Sequence, residues 1–322
     1  MNLKSAIEKA EKRIRPYVRN TYCIASPQFS QLTGCHVYFK LENLQHTGSF
    51  KVRGAMNKLL SLTEEQKKRG IITASSGNHG AAIAYALAQF NMEGLIVVPE
   101  NASPTKIALI KSYGGNVQFH GTDTGMTESF AKDYATKNNM EYLSPYNDFT
   151  IIAGQGTIAV EMFKQLNNID AVFVSIGGGG LMSGNAAYCK AVNPNTKIIG
   201  SSPINSPVLI QSIKAGKIID LESKPTLSDA TAGGVEHDTI TFELCRQYVD
   251  NYDLVTEDEI KAAIVKFIEA ERMLIEGSAG VAIASLLKRA GEFQGKNVVV
   301  IICGANISLE TLKTIVLQKN IL

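Results

Sequence analysis

Residues 71–98, IITASSGNHGAAIAYALAQFNMEGLIVV, decide the fold class. Ile71–Ala74 is a short apolar run, Ser75–Gly80 is a polar loop with two glycines, Ala81–Phe90 is an alanine-rich helix and Gly94–Val98 is a wholly apolar strand. A strand that is apolar on both faces is covered on both faces, and two such strands joined through a helix run parallel. The alternation continues with a helix at Pro104–Tyr113, a strand at Asn116–Phe119, a helix at Thr127–Asn138 and a strand at Glu141–Leu143. Residues 70–147 are therefore expected to form a small mobile domain, inserted into a larger domain built from 1–61 and 149–322.

On the N-terminal side, residues 2–15 have helical patterning stopped by Pro16, residues 35–41 read as a strand, and a helix is expected over Ala55–Ser61. Thr63-Glu64-Glu65-Gln66 is a capping box. On the C-terminal side, residues 149–162 are helical and the strand Ala171–Ile176 runs into Gly177-Gly178-Gly179-Gly180 and the helix Leu181–Val192. A strand follows at Lys197–Ser201, and a second capping box, Thr256–Glu259, opens a helix to about Leu274. Glu276–Gly280 interrupts it, a helix resumes through Lys288, and the strand NVVVII (297–302) ends in Cys303-Gly304-Ala305-Asn306. The short tail beyond leaves no expectation of an appended regulatory domain. The fold class is α/β, with two parallel-sheet lobes and helices on both faces.

Composition excludes several classes of function. A net charge of +2 on 322 residues gives no electrostatic reason to expect nucleic acid or an anionic membrane surface. The five cysteines are scattered and never spaced C-x-x-C, which disfavours a disulfide framework and a zinc site and fits a reducing compartment. No stretch approaches the roughly 20 apolar residues of a membrane span, and the N-terminus lacks a signal-peptide core. A cytoplasmic protein is expected.

In an open parallel sheet, ligands bind at the carboxyl ends of strands, where the loops 75–80, 177–180 and 303–306 fall. Gly177–Gly180, between strand and helix, can aim several backbone N–H groups at one phosphate. A dinucleotide fingerprint would need glycine at 183, which is Ser, and an acid after the next strand, where Ser201-Ser202 stand. Ser75, Ser76, Gly77, Asn78 and His79 offer hydroxyls, an amide and an imidazole before a helix N-terminus, a setting for a substrate carboxylate. Upstream, Thr47-Gly48-Ser49-Phe50-Lys51-Val52-Arg53-Gly54-Ala55 places a lysine between glycines with small neighbours. Alone, such a lysine is by default a surface residue. A reactive lysine, a monophosphate cradle, a carboxylate loop and a polar residue at a strand end together match what pyridoxal phosphate requires.

These segments resemble the serine/threonine dehydratase and serine racemase branch of the fold type II pyridoxal-phosphate enzymes, which have the tryptophan synthase β-like fold. The likeness rests on Ser49-Phe50-Lys51-x-Arg53-Gly54-Ala55, Ser75–Gly80, Ala153-Gly154-Gln155-Gly156-Thr157, Gly177–Leu181, Glu276-Gly277-x-Ala279-Gly280 and Cys303–Asn306, in that order. The resemblance implies that Lys51 is the Schiff-base lysine and the base at Cα, with Phe50 beside the cofactor. Asn78 would meet the pyridoxal 3-oxygen, and Gly177, Gly178, Gly179, Gly180 and Leu181 would hold the phosphate. Cys303 would face the ring nitrogen, and Ser76 would lie on the cofactor face opposite Lys51. Where related racemases carry acidic metal ligands, this chain has Ser202–Val208 with no carboxylate, so no metal site is expected. His46 stands where those racemases have a nucleotide-contacting lysine.

The implied reaction is loss of water from a hydroxy amino acid: L-threonine to 2-oxobutanoate and ammonia first, L-serine to pyruvate next. In it the cofactor phosphate would protonate the leaving hydroxyl. Racemisation of serine, dehydration of another 3-hydroxy amino acid such as 3-hydroxyaspartate, and a catalytically degenerate ligand-binding relative are the alternatives. A homodimer is implied by the resemblance alone.

Overall fold

The structure, a computed structural model, describes residues 2–317. Met1 and residues 318–322, the outer ends of the expected large domain, lie outside the described residues. The strands in chain order are β1 (Cys23–Ala25), β2 (His36–Leu41), β3 (Ile71–Ala74), β4 (Gly94–Val98), β5 (Asn116–Phe119), β6 (Glu141–Tyr142), β7 (Ala171–Ser175), β8 (Lys197–Pro203), β9 (Asn251–Val255) and β10 (Asn297–Ile302). They form a 6-stranded sheet, order β1-β2-β10-β7-β8-β9, and a 4-stranded sheet, order β5-β4-β3-β6.

The smaller sheet is parallel throughout, as the alternation of 71–142 predicts. The larger is parallel except for β1, which pairs antiparallel with β2 at the edge. Every residue of β7 is buried, because helices cover both faces of the sheet. From β7 the chain moves outward through β8 to β9, while β10 and β2 lie on its other side. The β7/β10 boundary is therefore the switch point at which a crevice opens beyond the strand ends.

The helix Lys51–Ser61 joins the two sheets. Val52, Met56 and Leu59 share a buried cluster with Ile71, Ile83 and Leu87. Its other side crosses the helix Phe149–Gln165 so closely that a Cβ on Gly154 would sit 2.6 Å from the Cα of Gly54. That crossing accounts for Gly154, whereas Gly156 makes room for Ile7 and the Gly184 backbone, and the Gly54 N–H donates to Gln155 Oε1 at 3.1 Å. Beneath it lies a buried ion cluster: Arg53 donates to Glu42 at 2.7 Å and to Glu161 at 2.8 Å, and Lys40 to Glu161. Burial alone would raise the Glu161 carboxyl, but Arg53 and Lys40 outweigh it and hold it at about 2.

Several boundaries differ from the sequence reading. Lys51 is the first residue of its helix rather than part of a loop ahead of Ala55. Asn78 and His79 open the helix Asn78–Gln89, read as starting at Ala81. Neither helix has a side-chain cap, so no capping residue marks its start. The helix expected from Thr127 begins at Thr124, capped by Asp123. The expected break between Glu257–Glu271 and Gly277–Arg289 is present but falls earlier, at residues 272–276, so Gly277–Gly280 are helical and Glu276 occupies the N-cap position of the second helix.

Candidate active site

The chain from Thr47 to Phe50 lies along Cys303–Asn306. Ser49 bridges Gly304. The Phe50 N–H donates to the Cys303 carbonyl at 3.0 Å, Ala305 N–H to the Gly48 carbonyl at 2.8 Å, and Asn306 Nδ2 to the Thr47 carbonyl at 3.0 Å. Gly48 adopts φ 66°, a left-handed conformation that lets this segment turn before the helix. This pairing fixes Lys51 and Cys303 relative to one another at the β10 end of the crevice.

Every site residue expected from the sequence lines one cavity of about 430 Å3: Lys51 and Phe50, Ser75 through His79, Gly177 through Leu181, and Cys303. The Lys51 Nζ donates to the Pro145 carbonyl at 2.9 Å and lies 5.4 Å from the centre of the Phe50 ring. Burial pulls its pKa down to about 8, against the opposing charges of Glu276 and Glu128. An amine so placed is partly neutral near physiological pH and can act as nucleophile or base.

Gly177–Gly179 lead from β7 into the helix Gly180–Val192 and form a cradle with no room for side chains. A Cβ on Gly177 would lie 2.8 Å from the Thr231 backbone, and one on Gly178 2.4 Å from the Tyr146 ring. Gly179 has φ 84°. Thr241 Oγ1 donates to the Gly178 carbonyl at 2.7 Å, so that acceptor is already paired within the protein.

On the β3 side, Ser75 Oγ accepts from the Gly77 N–H at 3.2 Å and holds the loop tight. His79 Nε2 lies 3.3 Å from the Leu143 carbonyl. Burial, then the Lys51 charge, push the His79 pKa down to about 3, so the ring is neutral and Nε2 carries the proton donated to Leu143. Asn78 Nδ2 donates to both oxygens of Glu276, at 2.9 and 3.0 Å, and its Oδ1 accepts from Asn306 Nδ2 at 2.6 Å. Asn78 therefore meets any ligand as part of a fixed trio with Glu276 and Asn306.

At the end of β10, Cys303 Sγ lies 3.1 Å from Ser278 Oγ and accepts from Ser175 Oγ at 3.7 Å. Burial, then Glu276, push this thiol up to about 12, so it stays protonated. Glu276 is itself raised by burial, while donors from Ser278, Asn78 and the Asn306 N–H favour its ionised form.

Sequence reasoning missed several residues of this site. Glu276 belongs to a motif recognised only as a landmark, although a lone acid ahead of Gly277-Ser278-Ala279-Gly280 is a legible signal. Tyr146 and the loop 229–236, which also line the cavity, carry no motif and arrive there only through the fold.

The residues fit pyridoxal phosphate: a buried amine, a cradle of glycines that any Cβ would fill, and a neutral donor at the strand end between them. Fold and site together define a pyridoxal-phosphate enzyme of fold type II. The family model for pyridoxal-phosphate dependent enzymes matches residues 14–304, and the chain belongs to that family. The chain is 37% identical over 310 residues to an L-threonine ammonia-lyase of Thermotoga maritima, covering 96% of this chain and 77% of that one. It is 36% identical over 315 residues to a serine racemase of Dictyostelium discoideum, covering 96% of each. The solved processed form of threonine deaminase isoform 2 from Solanum lycopersicum superimposes with a TM-score of 0.93 at 32% identity, covering 99% of this chain and 93% of that one.

Proposed function

We propose that the protein removes water from a hydroxy amino acid, L-threonine first and L-serine next, releasing the 2-oxo acid and ammonia. The observation that carries this reading is the Lys51 amine, buried, with its pKa lowered to about 8 and facing the glycine cradle across one cavity. When bound, pyridoxal phosphate supplies an electron sink for the charge left on Cα by loss of its proton. Lys51 would hold the cofactor through Nζ, and its amine, when neutral, is the base that would take the Cα proton. The N–H groups of Gly177–Leu181 would hold the phosphate, with Phe50 beside the ring. Asn78, steadied by Glu276 and Asn306, would orient the ring. The Cys303 thiol would serve the ring nitrogen as a neutral partner rather than a counter-ion, which would favour expulsion of the β-hydroxyl over transamination.

Ser75–His79 take the substrate carboxylate. That contact draws the small domain, 70–147, towards the large one, 1–61 and 149–322, and expels water. The L-threonine ammonia-lyase and threonine deaminase named above support this substrate. A homodimer and a cytoplasmic location belong to the same proposal.

Racemisation is the second reading. Ser76 lines the same cavity as Lys51 and offers a hydroxyl as an acid for the second face, and one of the relatives is a serine racemase. With L-threonine, the holoenzyme is expected to release 2-oxobutanoate and ammonia in equal amounts, and Lys51→Ala to lose about a thousandfold in turnover. Full turnover by that variant would overturn the reading. With L-serine, pyruvate is expected to outpace D-serine; the reverse order makes the enzyme a racemase.

A further inference from the structure

We propose that Glu128 and Glu236 form a specificity wall that admits amino acids with a neutral side chain and turns away those bearing a second carboxylate. The proposal rests on reading this cavity as an amino-acid site and adds which amino acids it takes.

Glu128 lies on the helix Thr124–Lys137, beside the smaller sheet, and Glu236 follows the turn Asp229–Thr231 on the opposite side. Both line the cavity that holds Lys51. Glu236 accepts from Lys132 Nζ at 2.9 Å, Asn147 Nδ2 at 3.1 Å and Ser144 Oγ at 3.4 Å, which pin its carboxylate in place. Lys132 approaches from outside and is not part of the lining. Glu128 makes no hydrogen bond or ion pair with another described residue; burial and then the Glu236 charge raise its carboxyl to about 7, against the opposing charges of Lys132 and Lys51.

A second carboxylate on a substrate needs a cation, or a set of converging N–H donors such as the one already given to the first, to replace its water. The described lining contains two lysines. Lys51 is committed to the reaction, and Lys106 is bound to Asp229 at 2.6 Å. Glu276 is already filled by its own donors. Glu128 and Glu236 place two carboxyls in the lining with one cation, Lys132, between them, so above about pH 7, where Glu128 is ionised, the pair keeps a negative excess that repels an anion and offers acceptors to a hydroxyl or an amide. The same arrangement disfavours 3-hydroxyaspartate among the hydroxy amino acids considered.

L-Asparagine and L-aspartate have nearly the same shape and differ in charge, so their ratio isolates the effect. Calorimetric titration of the holoenzyme with each, followed in parallel by cofactor absorbance, is expected to show L-asparagine binding at least about tenfold more tightly. Glu128→Gln and Glu236→Gln are each expected to shrink that ratio by about threefold or more, with L-aspartate gaining. Equal affinities in the parent, a ratio unchanged in both variants, or no binding of L-asparagine would overturn the wall. Should Glu236→Gln fail to fold, Glu128→Gln, which removes no hydrogen bond, decides. L-Threonine turnover is a separate readout: its absence beside the expected ratio removes the dehydratase reading and leaves the wall standing, and turnover beside a flat ratio does the reverse.

Discussion

Lys51 shows what a single burial does to chemistry and to stability together. Its folded pKa, about 8, lies below the ordinary value of 10.5. Between those values the unfolded chain holds more protons than the folded one, so the cofactor-free protein gains stability as pH rises from about 8 to 10.5. Below pH 8 the buried cation costs about 3 kcal/mol. Lys51→Met is therefore expected to be more stable than the parent at pH 7 in urea unfolding without cofactor, with the gap closing near pH 10.5. A gap of constant size across that range would show that Lys51 is not the group responsible. Gly178 makes a second residue-scale case. A Cβ there would lie 2.4 Å from the Tyr146 ring, so either the ring or the cradle must give way. Gly178→Ala is expected to weaken cofactor binding by about tenfold in a spectrophotometric titration, since displaced N–H groups no longer converge on one anion. Unchanged affinity would mean that Tyr146 moves freely.

At the scale of elements, the helix Lys51–Ser61 carries its reactive first residue on a frame set by Arg53. That guanidinium is fully buried between Glu42 and Glu161. Removing it leaves two carboxylates buried with only Lys40 and the half-exposed Arg15 to answer them. Arg53→Met is expected to lose about 3–5 kcal/mol of stability, measured by urea denaturation of the cofactor-free protein. A loss below about 1 kcal/mol would mean that water enters the cluster and screens it. The same scale shows what a sequence can announce. The β3–helix–β4 unit is legible because its strands are apolar but for Thr73 and glycines punctuate its turns. The starts at Lys51 and Asn78 are not, because Phe50 and Gly77 provide no capping side chain. Asp123, by contrast, is a legible cap that places its helix three residues ahead of Thr127. The edge strand β1 has three residues and no alternation to betray it.

For the whole molecule, two parallel sheets bring the ends of β3, β7 and β10 to one crevice, a convergence that motif order foretells and local pattern does not. Glu276 and Asn306 are visible as motif members, whereas Tyr146, Glu128 and Glu236 acquire their place only when the helices and loops pack. Among the described residues no group of three or more His, Cys, Asp or Glu is arranged to hold a metal ion. Because the run Ser202–Val208 has no carboxylate, dialysis against EDTA is expected to leave turnover unchanged. A loss restored by magnesium or manganese would place a cation in the working enzyme. No helix among the described residues is long and apolar enough to cross a membrane.

The pairing of Thr47–Phe50 with Cys303–Asn306 also has a consequence in time. Its Asn306–Thr47 hydrogen bond joins residues 259 apart in the chain, and β10 must slot between β2 and β7 before it can form. Strands β3 to β6 follow one another closely and depend on no such distant partner. Contacts this remote carry the largest loop-closure cost. The smaller sheet is thus expected to form ahead of the larger one, and the setting of Lys51 to be among the last parts assembled, which pulsed hydrogen exchange during refolding would show as protection of β3–β6 before β10. On that order the amine leaves water, and its basicity falls, only as the large sheet is completed.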